Sequence, residues 1–173
     1  MLNTIAQYLQ NLGSGLDRRA LHNIFGSALR SLNSCALSNS TLVITATTGK
    51  KVPKTGAAAS YYIANGVLVT IANGVDMPAL SGTVTNLYFN VFCFFVDSAG
   101  TKTSATGTQA LTLAGVKWPN FPADKALIGL VLINPTGTGD FVGNTTALDD
   151  ATVVPTAVYI SPVGAVDPTV IYT

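Results

Sequence analysis

The chain has 173 residues, of which 48% are hydrophobic and only 10% are charged, and its net charge is +1. Because an average soluble chain is about 25% charged, few charges remain to keep a lone monomer soluble, and we expect much of the surface to be buried against other subunits. The alternative is a monomer whose surface is covered by Thr, Ser and Asn. The weak charge excludes a strong electrostatic attraction to nucleic acid, and no apolar run reaches the roughly 18 residues of a membrane span.

The composition favours pleated sheet over long solvated helices. Thr, Val, Gly and Tyr are frequent, every acidic residue is Asp, and Glu is absent. The two cysteines, Cys35 and Cys93, are too few for a disulfide framework, and we predict two buried free thiols. The N-terminus has neither the basic region nor the apolar region of a secretory signal.

Residues 1–39 are predicted to form a helical N-terminal arm. Two segments, about 2–12 and 17–32, each place apolar residues at helical spacing, and a polar crossing over 33–39 follows. Such helices are not stable alone, so the apolar stripe must pack on the β domain, on copies of itself, or on another protein. The stripe consists of Leu2, Ile5, Leu9 and Leu12 and then Leu21, Ile24, Phe25, Ala28, Leu29 and Leu32, with Arg18, Arg19, His22 and Arg30 largely off it.

Two copies of Ile-Ala-Asn-Gly, Ile63–Gly66 and Ile71–Gly74, predict hairpin turns. Asn-Gly is the strongest short hairpin signal, because both positions tolerate positive φ. We therefore predict that Tyr61–Ala64 and Val67–Ile71 pair with each other and continue into a meander.

The most apolar predicted strand is Leu87–Val96, which is apolar on both faces apart from Asn90. We expect it to lie centrally in a sheet, covered on both sides. Short strands with turn residues between them indicate an antiparallel β-sandwich or jelly-roll-like domain over residues 40–173, so that the chain is mainly β. Its other predicted strands are Thr41–Thr48, Gln109–Val116, Ala126–Ile133, Thr152–Ile160 and Pro168–Tyr172.

Few side chains could carry chemistry. The one histidine, His22, lies on the predicted arm beside arginines, and the chain has no nucleophile elbow. Asp149 and Asp150 are predicted to form an Asx-type turn, with a calcium ion at Asp140, Asp149 or Asp150 as the alternative. Zinc is excluded by the number of His and Cys ligands. We predict no enzymatic activity, no catalytic residue, no metal site and no cofactor.

A glycine-rich loop follows the predicted strand that ends at Ile133. Gly137, Gly139 and Gly143 are spaced almost as in a dinucleotide-binding motif, but the third glycine comes one residue late and no helical stripe follows. The glycines are better explained by positive φ or by close approach to a neighbouring chain. Phe141 and Val142 are expected to project from this loop as a contact for another subunit.

Several segments of the C-terminal half form a recognisable set. They are Trp118-Pro119, Pro122-Ala123-Asp124, Ile128-Gly129, Ile133-Asn134-Pro135-Thr136-Gly137, Phe141-Val142-Gly143, Thr145-Thr146-Ala147-Leu148-Asp149-Asp150 and Val158-Tyr159-Ile160. Together they resemble a pattern in structural proteins of tailed-bacteriophage virions. The resemblance implies a head decoration (cement) protein, a head fibre or a tail-associated β-domain, homo-oligomeric and often trimeric, without catalytic residues.

The first hypothesis is a non-enzymatic phage protein that decorates or cements the capsid by binding across capsomers as a homotrimer. Its expected partners are the major capsid protein or other virion proteins, with no nucleic acid and no membrane, and its expected location is the virion after synthesis in the host cytoplasm. The candidate oligomer or shell contacts are Leu2, Ile5, Leu9, Leu21, Ile24, Phe25, Phe141 and Val142.

The second hypothesis is a head-fibre or tail-associated module that recognises a glycan or protein on the host surface. Tyr61, Tyr62, Trp118 and Phe121 could stack on sugar rings, or they could pack in the core or in an interface. A third hypothesis, a glycan-degrading enzyme, rests only on the scattered Asp residues.

Overall fold

The computed structural model describes residues 33–46, 52–155 and 157–166. Eleven β-strands lie in these ranges, together with one turn of 3-10 helix at Leu113–Gly115. Residues 1–32 of the predicted arm and the predicted strand Pro168–Tyr172 lie outside them. The strands are β1 (Cys35–Ala36), β2 (Val43–Ile44), β3 (Pro53–Lys54), β4 (Ser60–Ala64), β5 (Val67–Ile71), β6 (Thr83–Val84), β7 (Asn90–Val96), β8 (Lys102–Thr106), β9 (Ala126–Ile133), β10 (Phe141–Val142) and β11 (Ala157–Ile160).

The larger sheet has four antiparallel strands in the order β11-β9-β7-β8. All seven residues of β7 are buried, which confirms a central strand covered on both faces. The strand begins at Asn90 and not at the predicted Leu87, which lies in a turn and is 60% exposed. β9 pairs with β7 along its length, with one irregularity in register beside Phe94 and Phe95. The two most apolar segments of the chain therefore occupy the two inner positions of this sheet.

The smaller sheet has three antiparallel strands in the order β1-β4-β5. The predicted hairpin of β4 and β5 is confirmed, and its turn residues Asn65 and Gly66 have φ angles of 49° and 76°, as a type I′ turn requires. The predicted continuation into a meander is wrong, because the next strand, β6, pairs with β10 and not with β5. On the other side of β1, Ala36 forms an isolated bridge with Gly164. Two-stranded ribbons, β6 with β10 and β2 with β3, complete the described pairings.

The main hydrophobic core lies between the two sheets. It joins Tyr62 and Ile71 of the smaller sheet to Phe92 and Phe94 of the larger one. Tyr62 is fully buried, and its hydroxyl group donates to Ser60 Oγ over 3.0 Å, so its polar end is satisfied. Burial of each large apolar side chain stabilises the fold by roughly 1.5–3 kcal/mol. The fold is therefore mainly β, antiparallel and sandwich-like, as the sequence predicted.

The side chains of β7 alternate between this core and a second hydrophobic cluster. Phe92, Phe94 and Val96 enter the main core, whereas the odd-numbered residues of the strand enter the second cluster on the opposite face of the sheet. The long connection between β8 and β9 covers that cluster, mainly with Trp118 and Phe121. The strand is apolar throughout because both of its faces are covered.

The predicted strand Gln109–Val116 is wrong. Its described ladder contact is a single bridge between Ala110 and Phe89, and Leu113–Gly115 forms the 3-10 turn. The edge strand that pairs with β7 on the side opposite β9 is β8, which lies in a Thr- and Ser-rich segment to which the sequence pattern assigned no strand. Because β8 is polar and half-buried along its length, a search for hydrophobic alternation does not detect it.

Two other predicted strands are shorter in the structure. The described part of Thr41–Thr48 keeps only β2, and Thr152–Ile160 keeps only β11. Asp150 Oδ1 accepts the N–H groups of Thr152 (2.8 Å) and Val153 (3.2 Å). This is the predicted Asx-type turn, and it keeps both residues out of a ladder.

The sandwich begins earlier than the predicted domain boundary between residues 39 and 40. Cys35 and Ala36 form β1, which pairs with Ile63 and Tyr62 of β4. These residues had been assigned to the arm, because a two-residue strand leaves no periodic pattern in the sequence.

Candidate interaction surfaces

Two of the three aspartates proposed as calcium ligands, Asp140 and Asp150, hold loop backbone. Asp140 Oδ1 accepts the N–H of Asn86 over 2.9 Å, and Asp150 holds the turn described above. Among the residues that the structure describes, no group of three or more His, Cys, Asp or Glu side chains could hold a metal ion. His22 lies outside those residues. The carboxylate contacts account for the local loop geometry.

Burial raises the pKa of three side chains, Tyr62, Cys93 and Tyr159. Burial raises the pKa of the Cys93 thiol to about 12. Burial, with a smaller contribution from the charge of Asp149, raises the pKa of the Tyr159 phenol to about 12. Both cysteines are free thiols, as predicted, but Cys35 is only half-buried. Because the thiolate is the nucleophilic form of cysteine, Cys93 is expected to be unreactive in the folded protein.

The glycine-rich loop packs tightly against its own domain. A Cβ atom at Gly137 would collide with the carbonyl oxygen of Thr152, and one at Gly143 would lie 2.7 Å from the carbonyl oxygen of Leu80. Gly139 has a φ of +102°, in the region that favours glycine. The prediction that these glycines serve the backbone is confirmed, although the close approach is to the same chain.

The two residues expected to project from this loop differ in their surroundings. Phe141 is fully buried and packs edge-to-face on Phe92, with ring centroids 6.0 Å apart, so its prediction as an exposed contact is wrong. The physical reason is that β10 pairs with β6 and turns Phe141 into the main core. Val142 is 39% exposed, so of the two residues only Val142 remains a candidate contact for another subunit. The six candidate contacts on the arm, from Leu2 to Phe25, lie outside the described residues.

The four aromatic residues considered for sugar stacking do not form one site. Tyr62 is in the main core, and Tyr61, its neighbour on β4, is 45% exposed. Phe121 packs edge-to-face on Phe95 and on Trp118, with centroids 5.0 and 6.1 Å apart. Tyr62 and Phe121 are therefore packing residues, and Trp118 remains at the border between the second cluster and the surface.

An open apolar groove lies beside Trp118 on the outer face of the larger sheet. Its volume is about 150 Å³. Leu113 is 55% exposed and Ile160 is 44% exposed at its rim. We call this surface the outer groove, and its lining residues are Val91, Leu113, Val116, Trp118, Leu130, Leu132 and Ile160.

The register of β11 explains why the groove is apolar and open. Val158 lies opposite Leu132, and Ile160 lies opposite Leu130. Paired residues of antiparallel strands point to the same face, so β11 adds two apolar side chains to the face that carries the second cluster. The connection between β8 and β9 covers one part of this face with Trp118 and Phe121. The rest is exposed, and Val158 is 47% accessible.

The outer groove was not predicted from the sequence. The alternation of Val158, Tyr159 and Ile160 was visible, but which face of which sheet received them depended on the register with β9. Leu113 was assigned to a strand, whereas the 3-10 turn leaves it exposed. The available signal was the surplus of apolar residues at positions that a half-solvated edge strand would fill with polar ones.

Comparison with known proteins found no matching family model, curated protein or solved structure. Within the described part of the chain, no helix has the length and apolar character needed to cross a membrane. The surfaces of the chain itself are therefore the starting point for its function.

Proposed function

We propose that the chain is a non-enzymatic structural protein of a tailed-bacteriophage virion, which decorates or cements the capsid by binding across capsomers as a homo-oligomer. The resemblance of its C-terminal segments to such proteins supports the proposal. The observation that carries it is the outer groove, an apolar surface left open on a sandwich with only 10% charged residues. A surface of this kind favours contact with another protein over contact with water.

Apolar burial supplies the attachment energy in this proposal. Each Å² of apolar surface removed from water contributes roughly 25 cal/mol, whereas association itself costs about 4–15 kcal/mol. A single small groove therefore binds weakly. An oligomer that attaches through several copies multiplies such weak contacts, and a shell of repeated capsomers offers several equivalent sites. The proposed partners are the major capsid protein and neighbouring virion proteins.

The predicted arm adds a second contact in this proposal. The apolar stripe of its first segment, with Leu2, Ile5 and Leu9, has a period that suits packing into a groove of a partner. Val142 provides an exposed apolar side chain on the sandwich itself. These contacts would extend the area buried on the shell beyond the outer groove.

A host-recognition module is the second candidate, because Trp118 lines the outer groove and Tyr61 is accessible. Sites for small polar ligands combine aromatic surface with precisely placed polar groups. Apart from the Trp118 indole, every side chain that lines the outer groove is wholly apolar. The groove therefore suits a protein surface better than a sugar, and the decoration role is preferred.

The experiment that tests the proposal is to locate the protein in assembled virions by cryo-EM and to count its copies. Decoration predicts density at junctions between capsomers, repeated over the head lattice. A single cluster of copies at the tail or at one vertex, with no density over the head lattice, would overturn it. Adsorption of the purified protein to host cells, measured beside this, would favour the host-recognition module.

A further inference from the structure

The outer face of the smaller sheet is apolar across its width. Ile63 lies opposite Cys35 on one side and opposite Leu68 on the other. The bridge between Ala36 and Gly164 extends the sheet beyond β1, and its register places Val163 and Ala165 on the same outer face. We call this surface the hairpin face, and its residues are Cys35, Leu37, Tyr61, Ile63, Leu68, Thr70, Val163 and Ala165.

The hairpin face carries no charged side chain and is largely open in the described structure. Leu68 is 64% exposed, Val163 58% and Leu37 49%. A sheet whose second face is solvated normally shows polar residues there, whereas the polar groups of this face are the hydroxyl groups of Thr70 and Tyr61 and the Cys35 thiol. An apolar face of this composition is typical of a sheet that another element covers.

The chain enters the described structure at one end of the hairpin face. Asn33 is helical, and its carbonyl oxygen accepts the N–H of Gly66 at the hairpin tip over 2.8 Å. Ser34 Oγ accepts the N–H of Asn65 over 3.2 Å, and β1 begins at the next residue. A connection this short is typical of a helix joined to a strand of the sheet on which it packs.

The segment before Asn33 has the length and the pattern to cover this face. A helix over residues 17–32 is about 24 Å long, and the five-residue strands β4 and β5 are about 17 Å long. Its stripe, from Leu21 to Leu32, repeats at the period of one buried helix face.

We propose that residues 17–32 form a helix that packs through this stripe on the hairpin face of its own chain. The tie between Asn33 and Gly66 holds the end of the helix at the hairpin tip, so its own sheet is the nearest apolar surface. This inference does not depend on the proposed function. It assigns Leu21, Ile24 and Phe25 to contacts within the chain, and leaves the first segment, with Leu2, Ile5 and Leu9, for a partner.

Cys35 is a reporter for this packing, because it lies on the hairpin face and Cys93 is fully buried. The rate at which Ellman's reagent labels Cys35 should be compared in the full-length protein and in Ile24→Asp, with Arg19→Asp as the matched change off the stripe. We expect labelling in wild type and in Arg19→Asp to be at least about tenfold slower than in Ile24→Asp, because a covered group is labelled only on local opening. Labelling of Cys93 reports any variant whose sandwich has unfolded.

Equal labelling rates in wild type and in Ile24→Asp would overturn the proposal. The proposal would also be overturned if the slow labelling of Cys35 became fast when the protein is diluted, since a second copy of the chain would then cover the hairpin face.

A cross-linking measurement tests the same packing without weakening the stripe as a whole. Phe25→Cys and Leu68→Cys are combined with Cys35→Ala and treated with a short bis-maleimide, and Arg19→Cys with Leu68→Cys is the control. We expect the first pair to be linked within single chains and the control pair to be linked much less. Links formed mainly between chains, or equally in both pairs, would contradict the proposal.

Discussion

Gly137 shows at the residue scale how the loop is fixed by its own domain. A Cβ atom there would meet the carbonyl group of Thr152, and backbone cannot move aside as a flexible side chain can. We expect Gly137→Ala to lower the free energy of unfolding by about 1–3 kcal/mol, measured by urea denaturation. The neighbouring Thr138 is exposed, so Thr138→Ala should change it by less than about 0.5 kcal/mol. Equal effects of the two changes would show that the close approach is unimportant.

Cys93 gives the fold a dependence on alkaline pH. Its folded pKa is raised from 9.0 to about 12, so both states keep the proton below pH 9. Between pH 9 and 12 the unfolded chain loses the proton and the folded chain keeps it, and stability therefore falls as pH rises, by about 1.4 kcal/mol per pH unit.

The free energy of unfolding is measured by urea denaturation at a series of pH values from 8 to about 10.5. The upper part of this range lies above the pKa of the thiol in the unfolded chain. Cys93→Ala should show a shallower loss of stability with rising pH, because it lacks the buried thiol. Tyrosine ionisation contributes to both proteins and cancels in the comparison. Parallel curves for the two proteins would contradict the assignment.

The sequence predicts the conformation of residues that is set by their immediate neighbours, but not burial that depends on distant residues. Asn65 and Gly66 form the predicted turn because the signal, positive φ at two successive positions, is contained in the dipeptide itself. The turn at Asp150 is local in the same way. The burial of Phe141 depends on Val84 and Phe92, which are distant in sequence, so no local pattern could reveal it.

At the scale of the element, the two residues of β10 point in opposite directions, although both were predicted to project from the loop. Phe141 is buried against Phe92, whereas Val142 is partly exposed. We expect Phe141→Ala to lower the free energy of unfolding by about 3–5 kcal/mol and Val142→Ala to lower it by less than about 1 kcal/mol. Thermal and urea denaturation of the two variants provide the comparison, and a stable Phe141→Ala protein would refute the packing.

Strands with a clear hydrophobic pattern or turn signal were predicted correctly, and a strand without such a signal was missed. β7 and β9 are continuous apolar runs, and the hairpin of β4 and β5 has its own turn signal, so all four were found. β8 is polar because one edge of the sheet needs only backbone pairing and modest burial. Within the β8–β9 connection, Gln109–Val116 was predicted as a strand because its leucines are apolar, although Leu111 and Leu113 are exposed.

At the scale of the whole molecule, the described residues carry two open apolar surfaces on a chain with few charges. The composition predicted that much surface would be buried by partners, but it could not place those surfaces, since they arise from the register of β11 with β9 and of β1 with β4. The outer groove suits a separate protein, and the hairpin face suits the chain's own N-terminal segment. Burial of these surfaces by partners remains a prediction, and their positions could not be read from the sequence.

The proposed oligomer predicts a defined mass in solution. Sedimentation equilibrium of the purified chain should give three times the mass of one chain, because the resemblance implies a trimer and three attachment points multiply weak contacts. A monomer at every concentration would contradict the trimer.

The most direct test of the central claim is rebinding of the purified protein to phage heads that lack it, measured by co-sedimentation and cryo-EM. Leu113→Asp places a charge in the outer groove, and Leu87→Asp is the matched control, since Leu87 is 60% exposed away from the groove and its φ of 68° suits Asp. We predict that wild type and Leu87→Asp occupy the junctions between capsomers and that Leu113→Asp occupancy falls at least about tenfold, as expected when a charge is buried in an apolar contact. Failure of the wild type to bind the head lattice, or full occupancy by Leu113→Asp, would contradict the account.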